Sequence, residues 1–146
     1  WRDEAATRAA YTADGYLRTG DIGYLDEDDY LFIVDRKKDI IIRGGENICC
    51  SEVEAAIYGH VSVSEACVFA LFDERLGEVP AAVIYSEEDG TLTEEALIAF
   101  LSERLAQFKL PTRIWLVDEP LPKLGTGKID KVALRERYRS EVAAEA

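Results

Sequence analysis

The chain of 146 residues has no methionine, one histidine, three cysteines and four prolines, and only 17 basic residues against 29 acidic ones. With His60 as its sole histidine it is poorly supplied for a Cys/His zinc site or a Ser-His-Asp triad, and His60 reads as a residue closing a helix. Cys49, Cys50 and Cys67 are odd in number, and the adjacent pair has neither the two-residue gap of a zinc knuckle nor an obvious disulfide partner. Reduced thiols in a cytoplasmic protein are therefore expected. A net charge of −12 repels nucleic acid and anionic lipid, so no nucleic-acid partner is expected. No apolar run approaches the roughly 20 residues that a membrane helix needs, so no membrane span is expected either. Without a methionine, and with no signal-like or transit-like stretch after Trp1, the chain is expected to be a piece of a longer polypeptide.

What is present is the composition of a globular domain, 48% hydrophobic and 32% charged. A compact fold of this length buries roughly 70% of its unfolded surface, enough for one core. Residues 4–11 are helix-compatible and end in the turn signal Ala13-Asp14-Gly15. Residues 16–26 and 30–35 are β-rich runs joined by the acidic turn Asp26-Glu27-Asp28-Asp29, the pattern of a hairpin. Ile40-Ile41-Ile42 reads as a short strand, Gly44-Gly45 as the start of a loop, and residues 51–58 as a helix with Ser51 as N-cap and Glu54 completing a capping box. Strands are expected over 63–71 and 80–85, a turn at Asp89-Gly90, and a helix capped by Thr93 whose Leu97, Phe100, Leu101 and Leu105 form one buried stripe. A strand over 113–117 and a helix over 130–143 follow, with a frayed end over 141–146. The pattern predicts an α+β fold: a small mixed sheet covered by helices in a two-layer sandwich, preceded by a β-hairpin.

The few cations gather in two places, Arg36-Lys37-Lys38 with Arg43, and Lys123 with Lys128 and Lys131, and two such segments can converge on one anion. The second contains Pro122-Lys123-Leu124-Gly125-Thr126-Gly127-Lys128-Ile129-Asp130, where glycines flank a lysine on what reads as a mobile loop before a helix. Such a lysine keeps its charge at neutral pH, and the glycines permit close backbone approach to a phosphate or carboxylate. A nucleotide-binding P-loop would need a glycine at the position of Pro122 and a hydroxyl residue at that of Ile129. Lacking both, the segment cannot wrap phosphates in that manner; taken alone, it is equally an exposed turn.

Four segments in order, Thr19-Gly20-Asp21, Asp35-Arg36-Lys37-Lys38-Asp39, Gly44-Gly45-Glu46-Asn47-Ile48 and Gly125-Thr126-Gly127-Lys128, together resemble the C-terminal end of an AMP-forming acyl-CoA synthetase of the adenylate-forming superfamily. The resemblance implies that residues 1–35 are the tail of a large N-terminal adenylation domain and residues 36–146 a small C-terminal lid. It implies a fatty or aromatic acid:CoA ligase that makes an acyl-adenylate from a carboxylic acid and ATP, then a thioester with coenzyme A. By the same resemblance Lys128 is the lysine that enters the site for adenylation, Asp21 accepts the ribose hydroxyls, Arg36 lies near ribose and phosphate, Lys38 is the hinge, and Gly44, Gly45 and Glu46 border the pantetheine channel. ATP or AMP, coenzyme A and Mg2+ are implied for the full-length enzyme, with no protein-held metal and no tight ligand of this stretch alone. The expected partner is the large domain of the same polypeptide. The sequence departs from the family where Cys49-Cys50 replaces an aromatic-proline pair, where Val61 replaces a proline, and at Leu76 and Leu110, which some members exchange for an aromatic and a basic residue touching the nucleotide end of coenzyme A. Two alternatives stand beside this reading: an adenylation domain that hands its acyl group to a carrier protein, and a non-catalytic interaction module with the same fold.

Overall fold

The computed structural model describes residues 2–87 and 92–145, so the expected Asp89-Gly90 turn lies outside the described residues, as does the terminal Ala146. The chain forms two compact units, the first ending at Lys38 and the second beginning at Asp39.

The first unit opens with helix α1 (Glu4–Ala9), capped by Asp3, whose carboxylate accepts the Ala6 N–H at 2.9 Å. The helix stops short of Tyr11 because that residue instead forms a β-bridge with Leu17 across the expected turn. Strands β1 (Asp21–Leu25) and β2 (Leu31–Arg36) then pair antiparallel. The acidic connection is shaped by Asp26, whose carboxylate accepts the N–H groups of Asp28 and Tyr30 at 3.0 and 2.9 Å. This side-chain mimicry of a backbone turn accommodates Asp29 at φ +62. The first strand starts at Asp21, not Tyr16, because residues 16–20 serve the Tyr11–Leu17 bridge and the approach to the hairpin. Across the ribbon Tyr24 stacks on Phe32 with ring centroids 5.1 Å apart.

The elements of the second unit run β3 (Ile40–Arg43), β4 (Glu46–Cys49), α2 (Cys50–Tyr58), β5 (Glu65–Asp73), β6 (Gly77–Tyr85), α3 (Glu94–Ser102), β7 (Arg113–Val117) and α4 (Lys131–Glu145). They form a mixed five-stranded sheet in which four strands follow the order β4-β3-β6-β5 and the fifth, β7, lies parallel to β6. Successive side chains of a strand point to opposite faces. Ala66, Val68, Ala82 and Ile84 pack with Val53 and Ile57 of α2 and Leu97 and Leu101 of α3. Cys67, Phe69, Leu71, Ala81 and Val83 pack with Leu134 and Tyr138 of α4 and with Trp115. The α+β class, the preceding hairpin and the helix-covered mixed sheet are as the sequence indicates. The two-layer sandwich is corrected to three layers: both faces of β5 and β6 are apolar, so α2 and α3 cover one and α4 the other. The C-terminal stretch expected to fray is helical through Glu145.

Strand β5 is an edge, and unpaired edge groups invite further strand addition. Here side chains from both helical layers occupy them: the Tyr58 hydroxyl binds the Ala66 N–H and C=O, Glu54 accepts the Val68 N–H at 2.8 Å, and Arg139 donates twice to the Ala70 C=O. On the far side of β6, β3 meets only Gly77 and β7 begins at Ala81. Pro80, which has no N–H to give, falls in that gap.

Two expectations need correction. Gly44-Gly45 does not open a loop but forms the two-residue turn of the β3–β4 hairpin, with Arg43 opposite Glu46. Helix α2 starts at Cys50 directly out of β4, so its N-cap is Cys49, which contributes no side-chain cap hydrogen bond, and Ser51 lies in the first turn. Glu54 cannot complete a capping box because its carboxylate is held by the Val68 N–H and by Lys131.

Candidate functional site

Lys128 sits on a connection between β7 and α4 that carries its own backbone ladder. Leu124 N–H donates to the Lys128 C=O at 2.8 Å, Gly127 N–H to the Leu124 C=O at 2.8 Å, and Asp130 N–H to the Pro122 C=O at 2.7 Å. Gly127 takes φ +81, a conformation other residues adopt only with strain. The loop's stem is anchored by a buried Leu121, and the Asp130 carboxylate accepts the Ala133 N–H at the start of α4. Lys128 is exposed, and among the described residues its ammonium has no hydrogen-bond or ion-pair partner.

Its two neighbouring lysines are differently placed. Lys123 lies 2.5 Å from Glu65 of β5, and Lys131 lies 2.7 Å from Glu54 of α2. Partial burial works against the charge on Glu65, yet the Lys123 ammonium and the Leu121 N–H outweigh it and hold the carboxyl below the ordinary glutamate value. Burial likewise opposes the charge on Lys131, and the Glu54 carboxylate more than offsets it, so this ammonium titrates above the ordinary lysine value. The expected cationic cluster of Lys123, Lys128 and Lys131 is thus resolved into two neutralised lysines and one presented to solvent. Sequence reasoning missed both carboxylates, since Glu54 is separated from Lys131 by 77 positions and no local pattern links them.

Gly44 and Gly45 stand at the tip of the β3–β4 hairpin with φ +58 and +94. Both values suit a type I′ turn, which is the reason two glycines work here. A Cβ on Gly45 would meet nothing within 4 Å, so what a side chain would cost there is backbone strain. At Gly44 it would also press on Leu76 Cδ2 at 3.2 Å. Glu46, the first residue of β4, is exposed.

Asp21, Arg36 and Lys38 belong to the first unit. Asp21 and Arg36 are cross-strand neighbours at the end of the β1–β2 ribbon, and the Arg36 guanidinium lies 3.2 Å from the Asp21 carboxylate. Thr19 Oγ1 accepts the Asp21 N–H at 3.1 Å, and the Lys37 N–H donates to the Gly20 C=O at 2.8 Å. Thr19, Gly20, Arg36, Lys37 and Lys38 line an open cleft of about 580 Å3, rich in positive charge. Lys38 lies in a single 3-10 turn, Lys37–Asp39, where the first unit ends. Arg43, grouped with these cations in sequence, belongs to the second unit at the end of β3.

The family model described as "AMP-binding enzyme C-terminal domain" matches residues 52–128. The chain belongs to this family. Over 142 residues it is 42% identical to the long-chain-fatty-acid–CoA ligase FadD13 of Mycobacterium tuberculosis, an alignment covering 97% of the chain and 28% of that protein. Identity to the 2-succinylbenzoate–CoA ligase of Listeria monocytogenes is 44% over 136 residues, covering 93% and 28% respectively. Among solved structures, ATP-bound MatB from Rhodopseudomonas palustris superposes with a TM-score of 0.88 at 34% identity, over 95% of the chain and 27% of MatB. The chain therefore spans little more than a quarter of these relatives, at their C-terminal end.

For an AMP-binding enzyme C-terminal domain, the chemistry available here is that of charge and hydrogen bonding. The Asp21 carboxylate offers acceptors and Arg36, Lys37 and Lys38 offer cations to an anionic ligand. No group of three or more His, Cys, Asp and Glu side chains suited to a metal ion occurs among the described residues. No disulfide joins the three cysteines, and burial pushes the Cys67 thiol up to about 12. None of the helices among the described residues is long and apolar enough to cross a membrane.

Proposed function

We propose that this chain is the C-terminal part of an ATP-dependent, AMP-forming carboxylic acid:CoA ligase of the cytoplasm, acting on a fatty or aromatic acid. In this reading the stretch to about residue 35 completes a large N-terminal domain of the same polypeptide, and the rest is a lid that swings about Lys38. The observation that carries it is Lys128: an exposed ammonium without a partner among the described residues, on a hydrogen-bonded loop, in a chain of this family.

Each residue then has a physical task. Lys128 places a fixed positive charge beside the oxygens on which negative charge builds as the carboxylate attacks the α-phosphorus. An oriented donor of that kind contributes on the order of 100- to 1000-fold in rate. Asp21 receives the ribose hydroxyls of the nucleotide, held in orientation by Arg36, and the cationic cleft around Arg36 favours the neighbouring phosphate. After rotation at Lys38, the side-chain-free tip at Gly44 and Gly45, next to Glu46, borders the path of the pantetheine arm of coenzyme A. Magnesium accompanies the nucleotide and supplies charge neutralisation of its phosphates.

The activity is tested on the full-length enzyme by acid-dependent exchange of pyrophosphate into ATP across a panel of fatty and aromatic acids, followed by addition of coenzyme A. Exchange with at least one acid, and thioester and AMP on adding coenzyme A, are expected. Exchange that yields no thioester with coenzyme A would overturn the assignment of the acceptor, and absence of exchange with every acid would overturn the reading as a whole.

A further inference from the structure

We infer that Glu54 and Glu65 are positioning residues for the reaction, two carboxylates that fix the two ends of the Lys128 loop to strand β5 and thereby set where the Lys128 ammonium can reach. The inference rests on the role proposed for Lys128. Lys128 has a flexible four-carbon stem and no side-chain partner among the described residues, so the position of its charge is set by its backbone. The three hydrogen bonds within the loop fix its shape but not its place on the domain. Place is supplied from outside. On the entry side, one oxygen of Glu65 accepts the Leu121 N–H at 2.7 Å and the other holds Lys123 at 2.5 Å. On the exit side, Glu54 holds Lys131 through both oxygens, at 2.7 and 3.0 Å, while accepting the Val68 N–H at 2.8 Å.

Both clamps refer to the same rigid element, since Glu65 is the first residue of β5 and Glu54 is tied to Val68 within it. The carboxylates are the sheltered halves of these pairs, with 17% and 15% of the Glu65 and Glu54 side chains exposed against 45% and 35% for Lys123 and Lys131. Lys128 stands between the two clamped lysines, Lys123 and Lys131. Loss of either clamp loosens one end of the loop, which then keeps only the buried Leu121 on the entry side or helix α4 on the exit side to hold it. A displacement of about 1 Å at a reacting centre costs on the order of 100-fold in rate.

The test uses the full-length enzyme with Glu65→Gln, Glu54→Gln and, as a solvent-side variant that spares the half-buried carboxylates, Lys123→Gln. Acyl-adenylate formation and thioester formation from supplied acyl-adenylate are measured separately, each variant being made both with Lys128 and with Lys128→Ala. The expected result is a loss of about 10- to 100-fold in the rate of adenylation, thioester formation within threefold of the parent, and no further loss when the same changes are added to Lys128→Ala. Equal losses in both half-reactions, or losses that multiply with that of Lys128→Ala, would show stabilisation of the domain in general and overturn the inference. Unchanged adenylation in all three variants overturns it too. If Lys128→Ala itself leaves adenylation intact, the proposed role of Lys128 is what fails, and the clamp inference falls with it.

Discussion

Lys128 and its two lysine neighbours show how a partner decides what a charge is for. Lys123 and Lys131 each meet a carboxylate, while Lys128 is left exposed. Since the Lys123 ammonium and the Leu121 N–H hold the Glu65 carboxyl below its ordinary value, the stability they contribute is present above the unfolded-state pKa of about 4.3 and is lost as the pH falls through the folded value. The anchor is intact at neutral pH and weakens in acid as Glu65 takes up a proton. Lys123→Gln is expected to raise the Glu65 midpoint in a carboxyl carbon NMR titration, and a midpoint that does not move would show that Lys123 is not what lowers it. Burial of Cys67, with its thiol pushed up to about 12, predicts that Cys67 stays unalkylated in the folded protein at pH 8 while the less buried Cys49 reacts. Mass mapping after a short iodoacetamide pulse checks this, and early labelling of Cys67 would contradict it.

At the scale of elements, the β3–β4 hairpin is the feature most dependent on its turn. Gly45→Val places a β-branched residue at φ +94 and is expected to cost about 1–2 kcal/mol in denaturant unfolding. Unchanged stability would mean that the turn relaxes into another conformation. The same hairpin marks the limit of what the sequence discloses. Helix α3 was legible because its apolar positions keep a clear period behind the Thr93 cap, and strand β7 because Ile114-Trp115-Leu116-Val117 is a short, β-prone apolar run. Strand β4 was not, since Glu46-Asn47-Ile48-Cys49 presents a single fully buried residue, Ile48, and pairs along its whole length only with β3. Two glycines serve a loop and a tight hairpin equally well, and only the pairing of Ile40–Arg43 with Glu46–Cys49 decides between them. Ser51 and Glu54 matched a capping pattern, but β4 ran on into the helix and tertiary partners took the glutamate. The motif residues themselves, Asp21, Arg36, Lys38, Gly44, Gly45, Glu46 and Lys128, were legible as positions. The Asp21–Arg36 pair needed the register of the hairpin, and the carboxylates that hold the lysine loop needed the fold.

At the scale of the whole molecule, the chain forms two compact units, one ending at Lys38 and the next starting at Asp39, and the hinge proposed at Lys38 lies at that boundary. Lys38→Pro fixes φ near −65° and is expected to slow the full-length enzyme by hindering interconversion of its two working arrangements, which stopped-flow comparison of the two half-reactions measures. Equal rates in the variant and the parent would remove Lys38 from the hinge. The exposed apolar side chains of the β1–β2 ribbon, Tyr24, Leu25, Leu31 and Ile33 among them, suit the proposal that an N-terminal domain of the same polypeptide completes this stretch. If Lys128 serves acyl-adenylate formation and not the transfer to coenzyme A, single-turnover rates for the two half-reactions in full-length Lys128→Ala separate: a loss on the order of 100- to 1000-fold is expected in acyl-adenylate formation, with thioester formation from supplied acyl-adenylate retained. An equal loss in both steps would remove Lys128 from that role.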